Sequence, residues 1–335
     1  MKHRDDFKRT QHRVIAVNTK QAMKFWVGVT DNRWFEYLSE HRPDEVNFWR
    51  PRATQTFRAI EPGAPFLFKL HSPKNYIVGG GFFVSHTVLP LSLAWETFKE
   101  KNGAPDFSSF QGSIARYRER EGYHEPDPEI GCIVLTSPFF FPQSEWIVEP
   151  PDWSPNLVQG KIYDSNEPIG RSIWEQVTDR LTDAVLGRSD SSIEAATAIS
   201  EARYGAEYLT QARLGQGAFR VLVTDAYLRR CAITGERTLP VLQAAHIRPF
   251  AQSGPNRIEN GLLLRSDLHT LFDKGLLTVT KDLCVEVSGR IREKYENGRD
   301  YYALRGRTLV VVPSREIERP SLEMIRWHNE NVYVG

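Results

Sequence analysis

Apolar and polar positions in the first half of the chain fall into short runs separated by turn-forming residues. FWVGVTD (Phe25 to Asp31) is dominated by β-favouring side chains and stops at Asp31-Asn32, a pair suited to end a strand or cap a helix. RWFEYLSEHRP then predicts a short helix ended by Pro43, and PFLFKL and YIVGGGFFVSH predict two strands around the turn-rich Ser72-Pro73-Lys74-Asn75. LSLAWETFKEKNG reads as an amphipathic helix closed by Gly103, and IGCIVLTSPFFF as a further strand. Strands with short helices at their margins predict a small β-barrel of α+β type reaching to about Trp153. From Asp152 to Ile173 the chain is rich in Pro, Asn, Ser and Gly without an apolar period, which marks a connector. IWEQVTDRLTDAVL, SIEAATAISEARYGAEYLTQARL and GAFRVLVTDAYLRR predict three helices after it. The expected division is a polar leader (1–20), a barrel domain (21–153), a partly helical connector (154–214) and a second domain (215–335).

The second domain carries the clearest chemical pattern. VLQAAHI predicts a strand ending at His246, since Pro249 blocks its extension. A loop with Gly254, Pro255 and Asn256 follows, then a turn at Asn260-Gly261 and LLLRSDLHTLFDKG, whose apolar period is helical and which ends at Gly275. His269 and Asp273 stand one helical turn apart and share a face, so both could hold one divalent cation. His246, with an ordinary imidazole pKa near 6.5, suits a general base. Asn260 suits either of two roles: fixing a backbone or imidazole orientation, or ligating through its amide oxygen. A cation and a base are what hydrolysis of a phosphodiester requires, because the anionic ester repels the attacking water. Arg248, Arg257 and Arg265 are candidate contacts to backbone phosphates.

At these residues the sequence resembles the HNH endonucleases, in particular bacterial restriction-type members. The resemblance is carried by Arg230-Cys231-Ala232-Ile233-Thr234-Gly235, Ala244-Ala245-His246-Ile247, Asn260-Gly261-Leu262-Leu263-Leu264 and Leu268-His269-Thr270-Leu271-Phe272-Asp273-Lys274-Gly275-Leu276. It implies a ββα-metal fold, one divalent ion such as Mg2+ or Mn2+, and cleavage of DNA, with His246 as base, Asn260 as orienting residue and His269 as metal ligand. Many members place Asp or His directly before the base, where this chain has Ala245. Asp273 is the expected substitute ligand, with Asn260 as the alternative.

Composition narrows the setting. At 335 residues there is room for two domains, each with its own core. The leader MKHRDDFKRTQHR lacks the apolar core of a secretory signal, and no run approaches the length of a membrane span. Cys132, Cys231 and Cys284 are odd in number and far apart, which favours reduced thiols and a cytoplasmic protein. A net charge of +1 does not mark a nucleic-acid binder, yet Lys and Arg outnumber Asp and Glu between Arg229 and Arg307.

Aromatic residues crowd the first half, and most must be core. Some sit among polar neighbours, as in Asn47-Phe48-Trp49-Arg50 and His71-Ser72-Pro73-Lys74-Asn75, a combination suited to a pocket for a single base. The candidate pocket comprises Trp34, Phe48, Trp49, Arg50, His71, Ser72 and Asn75. Gly79-Gly80-Gly81 reads as a bulge or close backbone approach within a strand. VNFWRPR (Val46 to Arg52), EPGAPFLFKLHSP (Glu61 to Pro73) and IVGGGFFVSH (Ile77 to His86) are similar to the PUA superfamily, and within it the EVE or ASCH-like branch. That resemblance implies a Trp-containing loop at Val46 to Arg52 and a pocket for an extruded modified base. The combined expectation is a modification-dependent restriction endonuclease acting on double-stranded DNA, reading a modified cytosine, with a homodimer needed to cut both strands. Two alternatives remain: a nuclease effector of phage defence activated by a ligand or partner, and a nucleic-acid-binding protein with an inactive HNH site.

Overall fold

The computed structural model describes residues 23–53, 56–118, 125–186 and 214–335. The polar leader and most of the second expected connector helix lie outside the described residues. The architecture is α+β, as the pattern predicted. Its larger part is one seven-stranded sheet in which β2 (Glu45–Arg50), β5 (Glu129–Phe140), β4 (Tyr76–Pro90), β3 (Pro65–Leu70), β1 (Lys24–Thr30) and β7 (Gly160–Asp164) lie side by side. The short β6 (Ile147–Val148) pairs separately with β4. β1 and β3 are parallel and the other pairings antiparallel.

The expected barrel is an open sheet with β2 and β7 at its ends. Strand β4 pairs with β3, β5 and β6, and its register with β5 shifts between Gly80 and Phe82 and between Phe83 and Ser85. The triple glycine lies in this bulged region, where a Cβ on Gly79 would stand 2.2 Å from the carbonyl oxygen of Phe139. Val46 to Arg50, expected in a loop, is strand. Val46 and Phe48 point into the core shared with Phe66 and Phe68, while Glu45, Asn47 and Trp49 point to the opposite face, and this period of two forms an edge strand. The segment read as connector supplies β7 against β1, together with α4 (Pro168–Leu186), whose Ile173, Trp174, Val177 and Leu181 pack on Phe25 and Val27.

Helix α1 (Asn32–His41) covers one sheet face with Trp34, Phe35 and Leu38, and the Asp31 carboxylate caps it by accepting from the backbone N–H groups of Arg33 and Trp34. The other face carries α2 (Leu91–Phe98), α3 (Phe107–Arg118) and one side of α5 (Gln216–Ala226). Ala218, Val221 and Leu222 of α5 join that core; Phe219, Val223 and, one residue beyond the helix, Tyr227 enter a second core made by the rest of the chain. One helix thus serves two hydrophobic interiors.

In the second region β8 (Leu242–His246) pairs with β9 (Gly261–Arg265), and α6 (Ser266–Asp273) follows at once. The helical reading of Leu262 to Arg265 was therefore too long. These leucines are buried on both faces of a short strand, so they form a continuous apolar run that helical periodicity does not distinguish. A hairpin of β10 (Leu277–Val279) and β11 (Val285–Val287), the short α7 (Arg290–Tyr295) and α8 (Arg299–Tyr302), and α9 (Leu322–Asn331) complete this region. Among the described residues no helix is long and apolar enough to cross a membrane.

Candidate nuclease site and aromatic cavity

Strand β8 alternates Ala245 inward, fully buried, with His246 on the opposite, half-buried side. The imidazole of His246 lies flat on the Phe219 ring of α5, with centroids 3.9 Å apart and planes at 14°. Its Nε2 stands 2.8 Å from Oδ1 of Asn256, whose own Nδ2 donates to the Leu214 carbonyl at 2.7 Å. With the amide NH2 directed at Leu214, Oδ1 is the acceptor, so the proton of the neutral ring resides on Nε2 and Nδ1 keeps the basic lone pair. Burial lowers the pKa of His246 below its ordinary 6.5, and the nearby His269 acts in the same sense against the opposing Asn256 hydrogen bond.

Asn260 is completely buried. Its Oδ1 accepts from the Arg248 N–H at 2.9 Å, and its Nδ2 donates to the carbonyls of Arg248 at 2.9 Å and Pro255 at 3.0 Å. All of these bonds go to backbone, and they tie the end of β8 to the loop that carries Asn256.

On α6, His269 Nδ1 faces Gln243 Oε1 at 2.8 Å, and His269 Nε2 stands 3.3 Å from Asp273 Oδ2. With Gln243 as acceptor, Nδ1 carries the proton and Nε2 turns its lone pair toward the carboxylate. Two electron-rich atoms in this position are satisfied by a cation or by a proton on Nε2, and a ligating imidazole whose other N–H is held by an amide oxygen is the usual way such a side chain is oriented. One imidazole nitrogen and one exposed carboxylate supply two donor atoms of kinds that divalent ions accept, with no preference between ions set by this pair alone. Among the described residues no group of three His, Cys, Asp or Glu side chains gathers as a metal cage.

The three candidate phosphate contacts differ in their surroundings. Arg265 is held bidentate by Asp267 at 2.8 and 2.6 Å, and Arg257 stands 3.7 Å from Glu259. Arg248 lies over the Trp327 ring and donates to the Gln252 carbonyl.

In the amino-terminal region, Trp34, Phe48, Trp49, Arg50 and His71 line one cavity of about 580 Å³, joined by Asp31, Arg52, Tyr117 and Gln159. Trp34 and Phe48 are only 3% and 8% exposed, so they form its floor, and Trp34 donates to the Asn47 carbonyl. Trp49 is half-buried, with its indole N–H on the Asn102 carbonyl and its ring edge-on to Phe110 and Tyr117. Arg50 donates to Gln159 Oε1 at 2.8 Å, and the Tyr117 hydroxyl donates to Asp31 Oδ2 at 2.9 Å. Ser72 lines an adjoining open recess with Asp31, His71 and Tyr117. Asn75 is engaged elsewhere, accepting from Lys69 Nζ at 2.9 Å.

Sequence reading missed Asn256, Gln243 and Phe219 at the first site, and Tyr117 and Gln159 in the cavity. Asn256 lay in a recognised Gly-Pro-Asn loop and Gln243 on a recognised strand, but nothing local marked either as a partner of a histidine.

Residues 231–280 match the HNH endonuclease family, so the chain carries an HNH endonuclease domain that includes His246, Asn260, His269 and Asp273. No curated protein matches the chain. Among solved structures it is similar to a mutant of the ZmASCH protein from Zymomonas mobilis, at 9% identity over 44% of this chain and 96% of that one, with a TM-score of 0.29. It is also similar to the modification-dependent TagI restriction endonuclease, at 16% identity over 86% of this chain and 75% of that one, with a TM-score of 0.25.

Proposed function

We propose that this protein is a modification-dependent DNA endonuclease in which the HNH domain hydrolyses the phosphodiester and the amino-terminal cavity receives a modified base. The observation that carries the nuclease half is that His246, its Nε2 held by Asn256, lies near the His269–Asp273 pair on the adjacent helix. In this reading His246 Nδ1 takes a proton from water as the oxygen bonds to phosphorus, and the P–O bond to the leaving oxygen breaks, that oxygen keeping the electron pair and taking up a proton from solvent water. Asn256 holds the required tautomer through Nε2, and Asn260 keeps the loop bearing Asn256 in place. His269 and Asp273 would hold a divalent ion, which supplies positive charge to the phosphate when bound. Phosphate contact falls first to Arg248, because Arg265 is already neutralised by Asp267.

The reader half rests on the cavity itself. It combines a partly exposed aromatic face, Trp49, with the charged or hydrogen-bonding groups of Asp31, Arg50, His71 and Tyr117, and a base leaving the duplex needs both stacking and edge contacts. A modified cytosine is the base proposed, and two copies of the chain would be needed to sever both strands.

The deciding experiment is a digest of matched DNAs with unmodified or defined modified cytosines, with Mg2+ or Mn2+ and with chelator. Cleavage confined to modified DNA plus metal supports the proposal. Equal cleavage of unmodified DNA removes the reader half, and metal-independent cleavage removes the ion-holding role of His269 and Asp273.

A further inference from the structure

We infer that Glu45, on the edge strand of the amino-terminal sheet, is a positioning residue for the nuclease base His246, acting through the first turn of α5. The inference rests on His246 being that base. Glu45 is completely buried, yet its two carboxylate oxygens are matched: Oε1 accepts from the Gly217 N–H at 2.7 Å and Oε2 from the Ala218 N–H at 2.8 Å. Helix α5 has no side-chain cap of its own, since its N-cap residue is Gly215. The partners for its first free N–H groups come instead from a strand 172 residues earlier in the chain. Two glycines make room for the carboxylate. A Cβ on Gly215 would fall 2.3 Å from the Glu45 carboxyl carbon, and one on Gly217 would fall 2.9 Å from Oε1 and 2.6 Å from the Phe98 ring.

The same turn holds the imidazole from two directions. Phe219, two residues beyond Gly217, supplies the ring on which His246 lies, and Leu214, just before the N-cap, supplies the carbonyl that orients Asn256 and through it Nε2. The plane of the base and its Nε2 hydrogen bond are therefore both referenced to a turn whose position is set by Glu45. Without the carboxylate, two N–H groups in a water-free place lose their acceptors, and the turn must shift or fray to find others. A merely structural Glu45 would change how much protein folds but not how fast each folded molecule cuts.

The test compares full-length Glu45→Gln, Lys101→Met, Phe219→Leu and His246→Ala on DNA that the parent protein cuts, reading kcat per folded molecule, KM and melting temperature. Lys101 Nζ stands 2.9 Å from Oε1 of Glu45, so its replacement disturbs the same buried carboxylate while keeping the helix bonds. Glu45→Gln and Phe219→Leu are expected to lower kcat about tenfold, short of the roughly 10²-fold that outright loss of a general base costs at the least, with KM within about twofold. Lys101→Met is expected to lower the melting temperature with kcat nearly unchanged. Parent-like kcat in folded Glu45→Gln overturns the inference; so does parent-like kcat in Phe219→Leu if Glu45→Gln yields no folded protein. An equal loss of kcat in Lys101→Met also overturns it, because any damage to the contact would then suffice. His246→Ala separates the two levels. If it cuts normally, the base assignment falls; if it is inactive while Glu45→Gln and Phe219→Leu cut normally, only the role of Glu45 falls.

Discussion

The two candidate sites are built in opposite ways. The HNH site gathers its main groups from one hairpin and the helix that follows, within residues 231–280, with Phe219 of α5 and Leu214, just before that helix, reaching in. The aromatic cavity collects Asp31, Trp49, His71, Tyr117 and Gln159 from widely separated points of the chain. A site made locally depends on a few strong hydrogen bonds, whereas one made by topology depends on the whole sheet. Single substitutions should therefore be sharp in the first and graded in the second.

The largest effect expected is that of His246→Ala, which should reduce cleavage by about 10²–10⁴-fold with DNA binding retained. Steady-state kinetics beside a binding titration checks this, and near-normal turnover would take the base role from His246. Next comes Asn260→Ala, which strands the Arg248 N–H and the carbonyls of Arg248 and Pro255, at roughly 1–3 kcal/mol for each group left unsatisfied. A clear drop in the denaturation midpoint is expected whether or not metal is present; parent-like stability with weakened metal response would instead point to ligation by its amide oxygen.

Across the comparison, Trp49→Ala should weaken binding to modified DNA by roughly 1–3 kcal/mol, leaving the metal response of cleavage alone. Because Trp49 also donates to Asn102, the melting temperature must be followed too. A lower melting temperature with an unchanged ratio of modified to plain affinity would make Trp49 a packing residue only. A smaller effect is expected of Asp273→Ala, which should raise the metal concentration for half-maximal cleavage, since His269 keeps its orientation from Gln243. An unaltered metal titration would exclude Asp273 as a ligand.

Smallest is the pH effect. Burial holds the His246 pKa below 6.5, so the neutral, proton-accepting form persists to lower pH and the acid limb of the rate profile should have its midpoint under 6.5. A midpoint at or above that value in a kcat profile at saturating metal would assign the limb to another group.

How far these features could be read without coordinates follows the same divide. His246 at a strand end, Asn260 at a turn and His269 with Asp273 on one helix face were legible because each depends on neighbours a few residues away. The pairing of Asn256 with His246 was not, since it is created by the path of a loop between paired strands. In the amino-terminal region individual strands were visible from alternation, but the pattern did not single out Glu45, and Val46 to Arg52 was expected as loop. Nothing near them in sequence announces a helix N-terminus 172 residues away. The same is true of β7, whose polar surroundings masked its place beside β1.

The double allegiance of α5 bears on how such a molecule could be rearranged. With Ala218, Val221 and Leu222 committed to one interior and Phe219 and Val223 to the other, neither half is a cassette that lifts out at a clean border. A fusion joined at residue 153 would strip β7 from β1 and leave one flank of α5 bare. Grafting a different amino-terminal sheet onto this HNH domain would require recasting that flank, including the space at Gly215 and Gly217, while the flank beneath His246 is kept unchanged.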